Sequence, residues 1–288
     1  MTLRHLLLVS CVIAIWGFNI LMIKVGVQEM PPLLLTGLRF VAVSLLLLPF
    51  RPRPPAGKLK LIIALSVVLG VGHFGLLFAG VRGMGAGAAS IVLQLGVPFS
   101  AVLALALYRE RLSLPGWIGM TLALIGIVVI NGTPSVSDPT AMIMILLSAF
   151  AWGGANIIIK MIGPVDSFAL NGWVALFSFP LLLGLSFILE QGQWEAMMGA
   201  GWRGWGAVAY TAILASIVSY TIWYYLLGRL PVNRVVPFNL LVPVIAVAGS
   251  WLLLDEPVGW LMLLGGALTI FGVAAIQLWP SQLQGGTR

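Results

Sequence analysis

Two carboxamide side chains stand four residues before prolines inside apolar segments. Gln94 precedes Pro98, and Asn239 precedes Pro243. A proline inside a helix removes one backbone donor and displaces the carbonyl four residues earlier, so both segments are expected to bend at these points. In a membrane, such breaks are tolerated where they line protein or a watery cavity. Gln94 and Asn239 are therefore candidates to hydrogen-bond the amino and carboxyl groups of a substrate. The alternative is that they repair the local backbone or bond a neighbouring helix.

An aromatic stripe lies in a later apolar segment. Tyr220, Trp223 and Tyr224 stand at i, i+3 and i+4, with Ser216 and Ser219 one turn earlier on the same side. Flat apolar rings that also offer hydroxyl groups would suit an aromatic amino acid, and a buried tyrosine hydroxyl needs a partner. Plain helix packing is the competing interpretation of this stripe.

A tryptophan motif in the first apolar segment returns 136 residues later. The shared positions are Trp16, Asn19 and Lys24 in the first copy and Trp152, Asn156 and Lys160 in the second. We expect the tryptophans to line or plug a central space, with the asparagines supplying polarity, although a tryptophan beside a glycine can also simply join helices. The lysines lie near helix ends, where they either snorkel to lipid headgroups or place a charge at a gate for a substrate carboxylate.

Arg39 and His73 are the ionisable residues deepest within apolar segments. A buried arginine is costly and should face the interior and find acceptors. Arg39 either attracts a substrate carboxylate or clamps backbone carbonyls. His73 titrates near neutral pH, so it is the intramembrane candidate for a proton carrier, with a neutral, hydrogen-bonded histidine as the alternative.

The composition places the whole chain in a membrane. It is 60% hydrophobic and 8% charged, against roughly 25% charged residues in soluble domains. Runs of about 20 apolar residues, the length that spans a bilayer, follow one another almost without pause. The ten expected spans lie at about 6–27, 31–50, 59–82, 86–108, 113–131, 140–161, 166–189, 204–228, 232–254 and 257–279. The first is too long for a signal-peptide core, so no cleavage is expected, and the single cysteine, Cys11, is expected to be a packing residue.

The net charge of +7 comes from basic residues whose distribution along the chain indicates the orientation in the membrane. With a cytoplasmic N-terminus, eleven basic residues fall on the inner side and three on the outer side, as the positive-inside rule requires. The inner set is Arg4, Arg51, Arg53, Lys58, Lys60, Arg109, Arg111, Lys160, Arg229, Arg234 and Arg288; the outer set is Lys24, Arg82 and Arg203. Both termini are therefore expected in the cytoplasm, and no nucleic-acid partner is expected.

The two parts of the chain align beyond the tryptophan motif. Gln94 to Pro98 corresponds to Asn239 to Pro243, and Glu110 corresponds to Glu256. Residues 1–135 and 136–288 are thus expected to form two repeats of five spans each. An odd number of spans gives the repeats opposite orientations, the architecture in which substrate sits near the midplane.

Small residues recur in the last span of each repeat. Gly119 and Ala123 in one span match Gly265 and Thr269 in the other. Such small-x3-small patterns let helix backbones approach closely, either within one chain or in a dimer. A monomer or a weak homodimer is expected.

These motifs together resemble the EamA branch of the drug/metabolite transporter superfamily, and more narrowly its YddG-type aromatic amino acid exporters. The resemblance rests on Trp-Gly with a downstream lysine in both repeats, on Arg39-Phe40, on the prolines of the fourth spans, and on the glutamate and Gly-x6-Gly that follow. It covers nearly the whole chain. It implies an all-helical protein of ten transmembrane helices, two inverted repeats around a central cavity, and cytoplasmic ends.

The expected function is therefore export of aromatic or other apolar amino acids and related metabolites across the bacterial inner membrane. All the acidic residues lie at or near span ends, where they cannot couple transport to ions as a membrane-embedded carboxylate does. They are Glu29, Glu110, Asp138, Asp166, Glu190, Glu195, Asp255 and Glu256. Facilitated transport without ion coupling (uniport) is favoured. The alternative is an exporter of another small metabolite or drug that couples transport to protons through His73. An intramembrane enzyme is a remote alternative, because the chain lacks clustered metal ligands; no metal or cofactor is expected.

Overall fold

The protein is helical along the part of the chain that the computed structural model describes, namely residues 1–50, 53–54, 56–108, 113–131, 133–136, 138–227, 229–230 and 235–278. Those residues contain no β-strand. The helices are α1 Leu3–Glu29, α2 Pro32–Leu47, α3 Leu59–Arg82, α4 in two pieces Ala86–Leu93 and Gly96–Tyr108, α5 Leu114–Asn131, α6 Pro139–Ile162, α7 Ser167–Leu189, α8 from Trp202 to Leu227, α9 from Val236 to Leu254, and α10 Trp260–Leu278. A short surface helix, Gln193–Gly199, joins α7 to α8.

Nine of these described helices are long and apolar enough to cross a membrane, and α9 adds a shorter apolar helix, Phe238–Leu254. The prediction of an all-α, ten-span membrane protein is confirmed. The span limits agree to within a few residues because the thickness of the hydrocarbon layer sets the length of every helix.

Four helices depart from regular α geometry, and they do so in pairs. α4 is interrupted between Leu93 and Gly96, and α9 begins as a 3₁₀ segment, Val236–Leu241. α3 and α8 each contain a π-helical stretch, Ser66–Gly75 and Tyr210–Val218. π-Helical turns are rare in proteins, and those that occur are often found at functional sites.

The helices of residues 1–135 interdigitate with those of residues 136–288. α1 packs against α8 and α9, and α6 packs correspondingly against α3 and α4; α2 lies along α7, and α5 along α10. If each helix of α1–α5 is matched in order with one of α6–α10, every contact in this set has its counterpart in the same set. The largest buried surface therefore runs between the two five-helix groups.

Glycines bring α5 and α10 into backbone contact within one chain. A Cβ atom added at Gly265 would lie 2.6 Å from the carbonyl oxygen of Gly126, and one added at Gly119 would collide with the carbonyl of Gly272. The small-residue faces of these helices are therefore used for packing against each other.

Candidate functional site

Trp16 lies at the contact between α1 and α8. Its Nε1–H donates to Ser219 Oγ at 2.7 Å, and its ring lies 5.7 Å from the ring of Tyr220 and 5.1 Å from that of Trp223. Trp223 is buried and Tyr220 half-buried. These three residues, named here the Trp16 cluster, are brought together as neighbours, whereas the side chain of Tyr224 lies outside the described part of the chain.

His73 and Trp152 form a second set of rings between α3 and α6. Their ring centroids are 4.9 Å apart, and the ring of Phe74 lies 4.6 Å from the imidazole. His73, Phe74 and Trp152 are named here the His73 cluster. The Trp16 cluster lies on the first helix of one five-helix group and the third helix of the other, α1 and α8. The His73 cluster likewise lies on a first and a third helix, α6 and α3.

The imidazole of His73 is tied to Ser148. Nδ1 lies 3.0 Å from the Ser148 carbonyl oxygen, which can only accept a hydrogen bond, so the proton is assigned to Nδ1. The Ser148 hydroxyl in turn donates to the carbonyl of His73 at 2.9 Å.

Arg39 contacts both α8 and the His73 cluster. Its guanidinium donates to Ser216 Oγ from Nη2 at 2.9 Å and from Nε at 3.3 Å. The Ser216 hydroxyl itself donates to the carbonyl of Thr211, five residues earlier, in the π-helical stretch of α8. The other side of the guanidinium lies over the ring of Phe74, with Cζ 4.1 Å from the centroid. Nη1 is buried and has no hydrogen-bond partner in the structure.

The helix breaks before Pro98 and Pro243 are closed by matching backbone bonds. The Val97 N–H donates to the carbonyl of Gln94, and the Val242 N–H donates to that of Asn239. The carbonyls are thus satisfied without their carboxamides. The Oδ1 atom of Asn239 is buried and unpartnered, and Gln94 is half-buried.

The two asparagines of the tryptophan motif differ. Asn156 Nδ2 donates to Ser100 Oγ on α4 at 3.1 Å, while Asn19 is buried and its Oδ1 has no partner. A buried carbonyl oxygen without a donor is costly, which makes Asn19 a candidate to receive a ligand N–H.

The two lysines lie away from both clusters. Lys24 Nζ donates to the carbonyl oxygens of Val81 and Met84, both at 2.9 Å, and so holds the end of α3. Lys160, in the last turn of α6, is exposed.

Carboxylates join the two halves at the face where α1 ends, here called the Glu29 face. Glu256 accepts from the N–H groups of Ala86 and Gly87 at the start of α4, and Glu190 accepts from those of Leu33 and Leu34 at the start of α2. The first turn of a helix leaves such donors free and favours negative charge. Both contacts join the two halves of the chain, because Glu190 and Glu256 belong to residues 136–288 and the helix starts that they cap belong to residues 1–135.

A family model for EamA-like transporters matches this chain twice, over residues 3–132 and 139–278. The chain belongs to the EamA-like transporter family. Together the two matches cover nearly the whole sequence, so the family extends through every described helix.

Relatives of this EamA-like transporter carry related names. The chain is 35% identical over 272 residues to a probable amino-acid metabolite efflux pump of Salmonella typhimurium, and 34% identical to one of Escherichia coli, with 91% of each chain covered. It is 27% identical to the uncharacterized transporter YoaV of Bacillus subtilis. A solved structure with 19% identity matches 96% of each chain with a TM-score of 0.65, which shows a shared fold.

Some features of this EamA-like transporter's site could not be found by sequence reasoning. Ser148 and Ser100 partner His73 and Asn156 from other helices, and no local motif marks them. Glu256 and Glu190 cap helices far away in sequence. The sequence did offer one signal for these caps. Gly85 before α4 and Pro31 before α2 have no side-chain acceptor and make no capping bond, so the first N–H groups of both helices need an acceptor from elsewhere.

Proposed function

We propose that this transporter exports amino acids with aromatic or other apolar side chains, and related metabolites, across the bacterial inner membrane. The observation that carries the proposal is the pair of ring clusters, each built from helices of both five-helix groups. Arg39 contacts Phe74 of the His73 cluster and bonds Ser216, three residues before the Ser219 that bonds Trp16. The Salmonella typhimurium and Escherichia coli relatives, named as probable amino-acid metabolite efflux pumps, support the same class of cargo.

The chemistry of the clusters suits such a cargo. Trp16, Tyr220 and Trp223 offer ring faces and edges to an apolar side chain, and aromatic pairs gain about 0.5–1.5 kcal/mol beyond simple burial. Asn19 and Asn239 offer unpartnered carbonyl oxygens that can accept from an α-amino group. The site thus combines an apolar surface with a few polar atoms, as small-molecule sites generally do.

The mechanism we propose is alternating access between two inverted repeats, residues 1–135 and 136–288, with both termini in the cytoplasm. Its support is the helix pairing that survives exchange of the halves, the matched irregularities of α3 with α8 and α4 with α9, and the two matches to one family model. Two halves of opposite orientation can open the same central site to either side.

The contacts on the Glu29 face act as the outer gate in this proposal. Glu256 and Glu190 hold helix starts of the other half, and the Ser135 hydroxyl donates to the carbonyl of Pro257 at 2.8 Å. Cavities of about 340 and 300 Å³ open on this face, and Arg82 borders both. Release of cargo then requires these contacts to separate, with α4 and α9 bending at Pro98 and Pro243.

Transport is proposed to be uncoupled from ions. Every acidic residue that the structure describes lies at a helix end or in a connection, so none offers a central carboxylate. Proton coupling through His73 is the second candidate, because this imidazole lies within the site and touches Trp152.

Efflux from proteoliposomes tests the proposal. Vesicles of purified protein are loaded with labelled phenylalanine or tryptophan, and efflux is followed with and without a pH gradient. We expect saturable efflux that ignores the gradient and is lost in Trp16→Ala. Trp251→Ala is the matched control, since Trp251 is exposed on α9, away from both clusters.

The outcomes separate the alternatives. Efflux that follows the pH gradient supports coupling through His73 and removes uniport. Absence of flux above empty liposomes removes the aromatic cargo. Equal flux in Trp16→Ala and wild type keeps that cargo and removes the Trp16 cluster as its binding site.

A further inference from the structure

Arg39 is a buried cation without an anion. Its side chain is 2% exposed, yet its hydrogen bonds go to one neutral hydroxyl, that of Ser216. Of the helices that pack on α2, helices α3, α7 and α8 contain no aspartate or glutamate. α1 carries one, Glu29, at its last position, where it accepts from the Gly201 N–H. Removing a charge from water is costly unless an opposite charge or a full set of hydrogen bonds replaces the solvent.

The guanidinium is held in place and still has capacity to bind. Ser216 fixes the Nε and Nη2 edge, and the rings of Phe74 and Phe40 lie 4.1 and 5.5 Å from Cζ. Nη1, with two N–H donors, is buried and unpartnered. An oriented guanidinium with free donors matches a carboxylate or a phosphate, and a lone cation balances the single charge of a carboxylate.

The position of Arg39 relative to the Trp16 cluster sets the shape of the ligand. Ser216, which bonds Arg39, and Ser219, which bonds Trp16, stand three residues apart on α8. The two anchoring serines are therefore separated by about one helical turn, ~5 Å along the axis of α8. That separation is comparable to the one between the carboxylate and the ring of a phenylalanine-like molecule.

We propose that Arg39 is the carboxylate-binding residue of this transporter. Nη1 binds the carboxylate of the cargo while the Trp16 cluster contacts its apolar side chain. The proposal rests on the proposed function for the identity of the cargo, but it makes a narrower statement, namely that a monocarboxylate with an apolar body is recognised through its charge.

Ligand pairs that differ only in the carboxylate test this assignment on the wild-type protein. Binding to purified protein is measured by tryptophan fluorescence and by calorimetry for phenylalanine against phenylalaninamide, and for 3-phenylpropionate against 3-phenylpropionamide. We expect the carboxylate of at least one pair to bind about tenfold more tightly than its amide, which corresponds to ~1.4 kcal/mol. Equal affinity within both pairs overturns the proposal without any variant.

Variants then locate the preference. In Arg39→Gln the carboxylate preference should disappear, and in Arg39→Lys, which keeps the charge, part of it should return. Ser216→Ala, which removes the neutral partner but keeps the guanidinium, should retain the preference even if Arg39→Gln does not fold. A folded Arg39→Gln protein that still prefers the carboxylate overturns the assignment.

The two proposals fail in different ways. A wild-type protein that binds 3-phenylpropionate through Arg39 but moves no aromatic amino acid removes the cargo and keeps the site. A protein that exports phenylalanine and phenylalaninamide equally well keeps the cargo and removes the site.

Discussion

His73 shows how one ring can serve as a packing residue and as a candidate proton carrier. Its Nδ1 is engaged by Ser148, and the rings of Phe74 and Trp152 lie 4.6 and 4.9 Å from its own. In the proposed transport cycle, a side chain so enclosed acts through its shape and the N–H donor at Nδ1. The titratable ring itself is needed only if protons move with the cargo.

Replacement of His73 by asparagine separates these roles, because asparagine keeps an N–H donor near the position of Nδ1 and cannot carry a proton. We expect His73→Asn to export cargo with the same indifference to a pH gradient as wild type. His73→Leu, which lacks the donor, should lower the free energy of unfolding by about 1 kcal/mol. Efflux from proteoliposomes and thermal unfolding in detergent measure both effects, and loss of efflux in a folded His73→Asn protein would contradict the expectation.

At the scale of elements, the helix ends and the glycine faces determine how the helices meet. α4 begins without a cap of its own, and Glu256 supplies one from beyond α9. α5 and α10 approach so closely that their carbonyls lie where side chains would otherwise stand. Both contacts tie residues of one half to the other.

Glu256→Gln should loosen the Glu29 face. A neutral amide accepts more weakly from the first turn of α4, which costs about 1–2 kcal/mol. We expect Ser90→Cys, a buried position on α4, to react faster with a thiol reagent when Glu256→Gln is present, in a Cys11→Ser background. Glu195→Gln, an exposed substitution on the short helix Gln193–Gly199, is the control, and equal labelling rates in the two would refute the cap as a gate contact.

Gly265→Ala should destabilise the protein by about 1–3 kcal/mol, because the added methyl meets a backbone carbonyl that cannot move aside. Gly184→Ala on α7 is the matched control, since a Cβ atom there has nothing within 4 Å. Its effect should stay within about 0.5 kcal/mol. Thermal unfolding in detergent compares the two, and similar losses would show that the α5–α10 contact is not the tight one.

At the scale of the whole molecule, each half completes the other. Every described helix of residues 1–135 has a packing partner in residues 136–288. Each of the two ring clusters contains residues from both five-helix groups. The proposed central site therefore requires both halves.

The proposed orientation in the membrane follows from the distribution of basic residues and is open to direct measurement. In a Cys11→Ser background, a membrane-impermeant thiol reagent applied to intact cells should label Gln191→Cys, after α7, and should spare Lys58→Cys, before α3. Labelling in the opposite sense would place both termini outside. Permeabilised cells, in which both cysteines should react, are the control.

The sequence could predict what depends on local chemistry. The spans follow from the bilayer thickness, and the breaks in α4 and α9 follow from Pro98 and Pro243. Tyr220 and Trp223, three residues apart, both lie beside Trp16 in the structure. The π-helical stretches, the Lys24 contact with the end of α3 and the caps by Glu190 and Glu256 could not be predicted, because each depends on a partner brought close only by folding.

The bond between Arg39 and Ser216 also bears on how the protein is made. The two residues are 177 positions apart, so at ~5–20 residues per second the ribosome needs roughly 9–35 s to supply the partner after the arginine has been added. During that interval α2 carries an unpaired guanidinium into the bilayer. A chain that stops before Ser216 keeps it there, and such a fragment is expected to be recognised and degraded by membrane proteases.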